Sequence, residues 1–355
     1  MTDPLATYWG MRDPDRTPEP VPPAGVVPEG NDDTFVIQEH HARSLHWDVR
    51  LERGGVLVSW AVPKGLPLHP KDNRLAVHTE DHPIDYGSFE GDIPAGEYGG
   101  GKVIRWDRGR YELEKWTDRE VKVVFHGTRT EGRYVFFRTG GKNWMVHRMD
   151  PPRIADWEPV PVGLHPMTAT PGPLPPGGRR RWGYEPAWGG VRVLIAVEGG
   201  RTRITDASGT DIGAGYPELR ALGPTLGSRV CLFDGEVIAP GKDGRPSELL
   251  ERRPPTSQAP GARNLREVPV SYLAFDLLHL NGLDTTALPY RERRSRLESL
   301  GFAGDRWSVA PAVQGTGREA LVVAGDLGLS GVVAKRLASP YAPGTQSADW
   351  VLVQP

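Results

Sequence analysis

The stretch EHHARSLHWDVRLE, residues 39–52, places three histidines, Asp48 and Arg50 within eleven positions (40–50). Imidazoles and a carboxylate make a mixed nitrogen and oxygen donor set suited to Mn2+, Zn2+ or Fe2+. A guanidinium beside such a set is a bidentate partner for phosphate oxygens. Along a β-strand, side chains alternate between faces. His46, Asp48 and Arg50 then share one face, Leu45, Trp47, Val49 and Leu51 share the other, and His40 can fold over the polar face from a preceding turn.

A second stretch, RLAVHTEDHPIDY at residues 74–86, repeats the theme with Arg74, His78, Glu80, His82 and Tyr86, and His78, Glu80 and His82 are expected on one face. The bland alternative is a polar strand face turned to water. It accounts for one His-x-Asp, but two such clusters in one small β region favour a site. The chemistry follows from the residue types. A divalent ion can polarise a phosphoryl oxygen or activate water, arginines can neutralise developing charge, and a histidine can protonate a leaving oxygen. A non-haem iron oxygenase also uses two histidines and a carboxylate, although the arginines suit phosphate better. No Ser-His-Asp order or nucleophile elbow competes, and the single cysteine, Cys231, lies in the other half of the chain.

These side chains need a frame. Residues 1–33 are rich in Pro, Asp and Glu and read as an arm without its own core. From Thr34 to Asp150 the pattern is β, with runs at Val56–Val62, Arg74–His78, Lys102–Trp106 and Tyr134–Arg138 punctuated by Gly, Pro and Asp, which predicts a small barrel or sandwich. Residues 151–181 read as a Pro/Gly-rich linker centred on Pro173–Gly178. Residues 182–355 become mixed α/β, with strands expected at Arg192–Val197, Val230–Phe233, Ser271–Phe275 and Gly331–Lys335 and helices at Tyr290–Leu300 and Arg318–Gly328. Arg291, Arg293, Arg294 and Arg296 in the first helix read as a solvated face. The fold class is therefore α+β, a small β-barrel followed by a mixed α/β domain.

Composition sets outer bounds. Of 355 residues, 38% are hydrophobic and 25% charged, which fits two globular domains. The lone cysteine fits a reducing cytosol, and neither a signal pattern nor an apolar run of membrane-spanning length is present, so a cytoplasmic protein with no membrane partner is expected. A formal net charge of −2 leaves any nucleic acid to local basic patches such as Arg179-Arg180-Arg181-Trp182.

FVIQEHHARSLHWDVRLE, SWAVPKG, RLAVHTEDHPIDYGSFEG and IPAGEYGGG resemble, in this order, the 3′-phosphoesterase module of bacterial DNA ligase D, over most of residues 8–150. The resemblance implies trimming of 3′-phosphates and 3′-ribonucleotides from DNA ends, with manganese preferred over other divalent ions. It implies His40, His46 and Asp48 as metal ligands, Arg50 and Arg74 as phosphate contacts, and His82 and Tyr86 at the remaining active-site positions. It also draws Asp13 and Glu19, within RDPDRTPEP, into the site as part of an acidic arm, and it leaves His41 as a neighbour of the ligands.

The segment GYEPAWGGVRVL, residues 183–194, resembles the nucleotide-binding motif of ATP-dependent DNA ligases, a likeness spanning about residues 160–355. That family attacks the α-phosphate of ATP with a lysine. Here Ala187 stands at the lysine position and Gly189 at that of an aspartate, while Gly190 and Arg192 remain. FDGEVIA keeps Asp234 and Glu236, YLAFDLLHLNG keeps Tyr272 and Phe275, and SGVVAKR keeps Lys335 but has Ser330 where the family has a metal-binding glutamate. Leu352 and Gln354 replace two phosphate lysines, Asp206-Ala207 replaces a Ser-Arg pair, and no OB-fold segment is expected after residue 355. The resemblance thus implies a degenerate nucleotide site of Arg192, Glu236, Phe275 and Lys335, with ATP not expected to be consumed.

The leading expectation is a Mn2+-dependent DNA 3′-end-healing phosphoesterase of double-strand break repair, acting on primer-template or duplex ends beside end-joining proteins. Two alternatives stand beside it: an active ligase using another lysine, and a non-catalytic repair scaffold.

Overall fold

The computed structural model describes residues 3–354 apart from 24, 26–29, 152–155, 228 and 242–261, so parts of the expected arm and linker lie outside the described residues. The chain divides into two compact units, Met1–Trp157 and Glu158–Pro355.

In the first unit, ten strands follow one another: β1 Thr34–His41, β2 Leu45–Arg53, β3 Val56–Val62, β4 Asn73–His78, β5 His82–Pro83, β6 Gly91–Ile93, β7 Gly101–Thr117, β8 Glu120–Gly127, β9 Glu131–Gly140 and β10 Asn143–Arg148. Eight of them close an antiparallel barrel in the order β1-β2-β3-β4-β10-β9-β8-β7, because β1 pairs with both β2 and β7. The alternation expected in β2 holds. Leu45, Trp47, Val49 and Leu51 join Trp60, Phe125, Phe136 and Val146 in the barrel interior. Closure needs one corner without side chains. Gly109 of β7 pairs with Phe35 on one side and Gly127 on the other, and a Cβ on Gly109 would lie 2.1 Å from the carbonyl oxygen of His126.

A second apolar cluster lies on the outer face of β1 and β3. There helix α1, Ala6–Gly10, docks with Leu5 and Tyr8 fully buried against Val36, Leu57, Tyr86 and Phe89. The N-terminal arm therefore has no core of its own but completes one, which fixes the path of the residues that follow it.

The second unit carries β11 Thr168–Pro171, β12 Trp182–Pro186, β13 Val191–Glu198, β14 Arg201–Asp206, β15 Cys231–Ile238, β16 Ser271–Leu280, β17 Leu283–Asp284, β18 Ala303–Gly304, β19 Trp307–Val309, β20 Val332–Arg336 and β21 Gln346–Val353. Its helices are α2 Leu222–Leu226, α3 Ala262–Glu267, α4 Tyr290–Ser299 and α5 Gly317–Asp326. One sheet runs β11-β21-β20-β12 and the other β14-β13-β15-β16-β19-β18, with β17 on β16. A cluster including Leu194, Leu232, Phe275, Tyr341 and Trp350 draws residues from both sheets. Helix α5 begins at Thr316, whose hydroxyl caps the Glu319 amide while Glu319 returns a bond to the Thr316 amide.

Two expectations are corrected. The stretch 151–181 is not a plain linker: β11 pairs with β21, and Leu174 packs beside Gly317 and Tyr184. Composition misleads here because an edge strand tolerates proline, and β11 has only one neighbour. The arginine face of α4 is only partly solvated. Arg293 is fully buried, bonded to both carboxylate oxygens of Asp276, and Arg294 is bonded to Glu185. Among the described residues, no helix is long and apolar enough to cross a membrane.

Candidate metal centre and phosphate cavity

Strands β1 and β2 pair His40 directly opposite His46, so the two rings stand 4.7 Å apart on the outer face of the barrel. Each ring spends one nitrogen on a backbone carbonyl. His40 Nε2–H donates to Gly99 O at 2.7 Å, and His46 Nδ1–H donates to Ser44 O at 3.0 Å. Those bonds fix the tautomers. The remaining lone pairs, on His40 Nδ1 and His46 Nε2, lie 3.5 and 3.6 Å from the two oxygens of Asp48. One donor atom from each of the three residues falls within 4.8 Å of the others. Carbonyl-oriented imidazoles around a buried carboxylate fit a divalent ion.

Asp48 is buried, which alone would raise its pKa, but Arg50 at 3.0 Å and the two histidines hold it well below the usual carboxylate range. It is ionised at any working pH. Arg50 itself is 3% exposed and also donates to Gln38 Oε1 and Ser59 Oγ, at 2.7 and 2.9 Å. It locks Asp48 in place.

His82 sits on the far side of Arg50. Its Nδ1–H donates to Glu80 O at 2.9 Å, and its Nε2 faces Arg12 Nη2 at 3.3 Å. Burial first, then Arg50 and Arg12, push its pKa well below the ordinary histidine value. At neutral pH it rests as a neutral imidazole, able to accept a proton rather than give one. Glu19 accepts from Thr17, Tyr86 and Arg12 at 2.6, 3.0 and 3.1 Å, so the arm is tied to the Tyr86 hydroxyl. These groups surround a cavity of ≈ 190 Å³ that reaches from the histidine pair to Arg12, Glu80 and Tyr98.

The structure thus brings together His40, His46, Asp48, Arg50, His82, Tyr86 and Glu19. It does not bring in four others. Asp13 is exposed and caps a turn, its carboxylate accepting from the Asp15 amide. Arg74 turns away to Asp72 and the carbonyls of Lys64 and Gly65. His78 is separated from Glu80 and His82 because the chain leaves β4 before entering β5, which breaks the alternation assumed for 78–82. His41 bonds Glu39 instead of joining the ligands.

Arg12 went unnoticed in the sequence. It is bonded to Glu19 and Glu80 and lies 3.9 Å over the Tyr8 ring. Its only signal was its place in the acidic RDPDRTPEP segment. Gly99, which orients His40, lies within the IPAGEYGGG motif, but it acts through its backbone carbonyl, which no side-chain type announces.

In the second unit, Ala187, Arg192, Glu236, Phe275, Ser330, Lys335 and Leu352 line one pocket of ≈ 280 Å³. Arg192 donates to both oxygens of Asp234, at 2.6 and 2.7 Å. Lys335 pairs with Glu185 and lies 4.1 and 4.2 Å over the rings of Phe275 and Trp350. Tyr272 is elsewhere, in the core beyond the sheet.

Comparison with known proteins agrees with both units. Residues 38–138 match the DNA ligase D 3′-phosphoesterase domain, and residues 177–353 match the ATP-dependent DNA ligase domain. The multifunctional non-homologous end joining DNA repair protein LigD of Mycobacterium tuberculosis is 42% identical over 359 residues, covering 99% of this chain and 45% of that protein. LigD of Mycolicibacterium smegmatis is 41% identical over 363 residues, with 99% and 45% covered. LigD of Pseudomonas aeruginosa is 33% identical over 409 residues, with 98% and 46% covered. The chain spans about half the length of these relatives. With both units covered by these matches, the chain belongs to the LigD family, as a 3′-phosphoesterase domain followed by an ATP-dependent DNA ligase domain.

Proposed function

We propose that the first unit is a divalent-metal-dependent phosphoesterase that removes 3′-phosphates and 3′-ribonucleotides from DNA ends, with Mn2+ the preferred ion. The observation that carries this reading is the pair of imidazoles held by Gly99 O and Ser44 O with their free lone pairs toward Asp48. His40, His46 and Asp48 would hold the ion, which when bound polarises a phosphoryl oxygen. Arg12 and Arg50 both line the cavity and are the cations that a phosphate there would meet. His82, neutral and held between Glu80 O and Arg12, accepts a proton from the attacking water. Glu19 and Tyr86 position Arg12.

For the second unit we propose a fold kept without adenylyl transfer, since Ala187 offers no amine. The protein then works in the cytoplasm at DNA breaks, with polymerase, ligase and end-binding functions supplied by other domains or chains.

The test is release of inorganic phosphate from a primer-template with a 3′-phosphate, across a metal series. Mn2+ stimulation, abolition by EDTA and loss in His46→Ala and Asp48→Ala are expected. Undiminished turnover in those variants would sink the reading. A non-catalytic scaffold would instead bind DNA and take up no Mn2+.

A further inference from the structure

The barrel has a second opening that the phosphoesterase reading leaves unused. A pocket of ≈ 550 Å³ lies at the end where the 117–120 and 140–143 hairpins turn, and Trp60, Trp116, Trp144, His78, Arg138 and Lys142 line it. Its aromatic wall is organised: His78 and Trp144 lie nearly parallel, 25° apart with centroids at 6.1 Å, and Trp60 sits 5.4 Å from His78 and 6.3 Å from Trp116. Trp60 is 1% exposed, and its indole N–H has no acceptor. A buried donor left unpaired is a cost that a bound acceptor would relieve.

The rim carries two cations, Arg138 and Lys142, against one exposed carboxylate, Asp118, so its balance is basic. Lys142 and Arg138 are exposed, and among the described residues neither forms an ion pair, Arg138 spending only its Nε on Gly141 O. Their charge decides which occupant fits. An aromatic cage also suits a quaternary ammonium ion, but burial together with Lys142 and Arg138 already disfavours a proton on His78, so a cation is repelled. A flat, electron-rich ring with acceptor atoms and an attached phosphate is complementary to all three features.

The position is also specific. His78 lines this pocket and Thr79 lines the metal cavity, while Trp60 and Ala61 make the same division one strand away. The two openings share the wall formed by β3 and the end of β4, with the segment from Thr79 to Asp81 between them.

We propose that the tryptophan pocket binds an unstacked nucleobase of single-stranded nucleic acid, with the adjoining phosphates on Arg138 and Lys142. This deepens the DNA-end reading, on which it rests for the identity of the strand: the base belongs to the unpaired strand beside the 3′ end held in the metal cavity.

The test is binding of the full chain to a single strand of about eight thymidylates with a 3′-hydroxyl, and to an abasic strand of equal length, by fluorescence anisotropy. Wild type binds the thymidylate strand about ten-fold tighter than the abasic one. Trp116→Ala at the half-buried rim binds both strands alike. The exposed double variant Arg138→Glu with Lys142→Glu, which leaves the core untouched, weakens both strands and flattens the salt dependence. Equal wild-type affinity for the two strands, or a Trp116→Ala protein that still discriminates, would overturn the proposal. Neither strand carries a 3′-phosphate, so the result is separate from hydrolysis. A protein that discriminates yet releases no phosphate refutes the phosphoesterase reading alone, and one that hydrolyses yet does not discriminate refutes only the pocket.

Discussion

Lys335 of β20 and Glu185 of β12 face each other with Nζ 2.7 Å from Oε2, and this buried pair holds the one lysine ammonium that, among the described residues, lines the pocket beside Ala187. Burial lowers the pKa of Lys335, and Glu185 opposes that shift, so the amine is held in an ion pair instead of standing free as a nucleophile. Incubation with labelled ATP and Mg2+ is therefore expected to leave the protein unlabelled after denaturation. A covalent AMP adduct mapped to Lys335 would show that the pair opens and that the second unit is an active ligase.

His82 is predicted to act on the substrate and not on the metal. It touches Arg12, Arg50 and Glu80 but none of His40, His46 and Asp48 within hydrogen-bonding distance. His82→Ala should lower kcat for 3′-phosphate release by about 10²-fold or more, with Mn2+ affinity by calorimetry unchanged within about two-fold. A parallel collapse of metal affinity would place His82 in the metal site instead.

Asp81 gives a pH signature of stability. Burial first, then neighbouring Glu80, push its pKa up from 3.8 to about 6. A carboxyl with a raised folded value binds its proton more tightly in the folded state, so stability is highest below pH 4 for this group and falls as pH rises towards 6. Asp81→Asn should then stabilise the barrel above pH 6 by about 1 kcal/mol, once solvent screening of this half-buried group is allowed for, and should have no such effect near pH 4. Denaturant midpoints at the two pH values measure it, and a gain at pH 4 as large as that at pH 7 would contradict the assignment.

Arg293 and Asp276 form an ion pair in which neither side chain is exposed. Burial raises the Asp276 pKa even with Arg293 opposing it. Arg293→Met leaves that carboxylate alone and should destabilise the second unit by about 3–5 kcal/mol. Replacing both, Arg293→Met with Asp276→Leu, should recover part of the loss. If the double variant is no more stable than the single one in urea melts, the isolated charge is not the cause.

Cys231 is fully buried, and burial pushes its thiol up to about 12. At pH 8 it is a neutral thiol out of solvent reach. Alkylation by iodoacetamide should proceed only at the rate of global unfolding and become fast in guanidinium. Rapid labelling of the native protein would show that the sheet opens locally at the start of β15.

Period and residue type determined much of this in advance. The alternation of Leu45, Trp47 and Val49 with His46, Asp48 and Arg50 depends only on the two-residue repeat of a strand, so the polar face of β2 was legible without neighbours. The helices α4 and α5 were legible for the same local reason, and so was the absence of an amine at Ala187, on which the proposed loss of adenylyl transfer rests. Tertiary structure decided the rest. Arg50 and Arg74 look equivalent as cations in strands, yet strand order puts one against Asp48 and the other against Asp72. Arg12 reaches the site because Leu5 and Tyr8 anchor the arm, and His40 receives its tautomer from Gly99, 59 residues away. Partners so distant in sequence leave no periodic trace, because their meeting depends on how the barrel closes and not on what lies beside them in the chain.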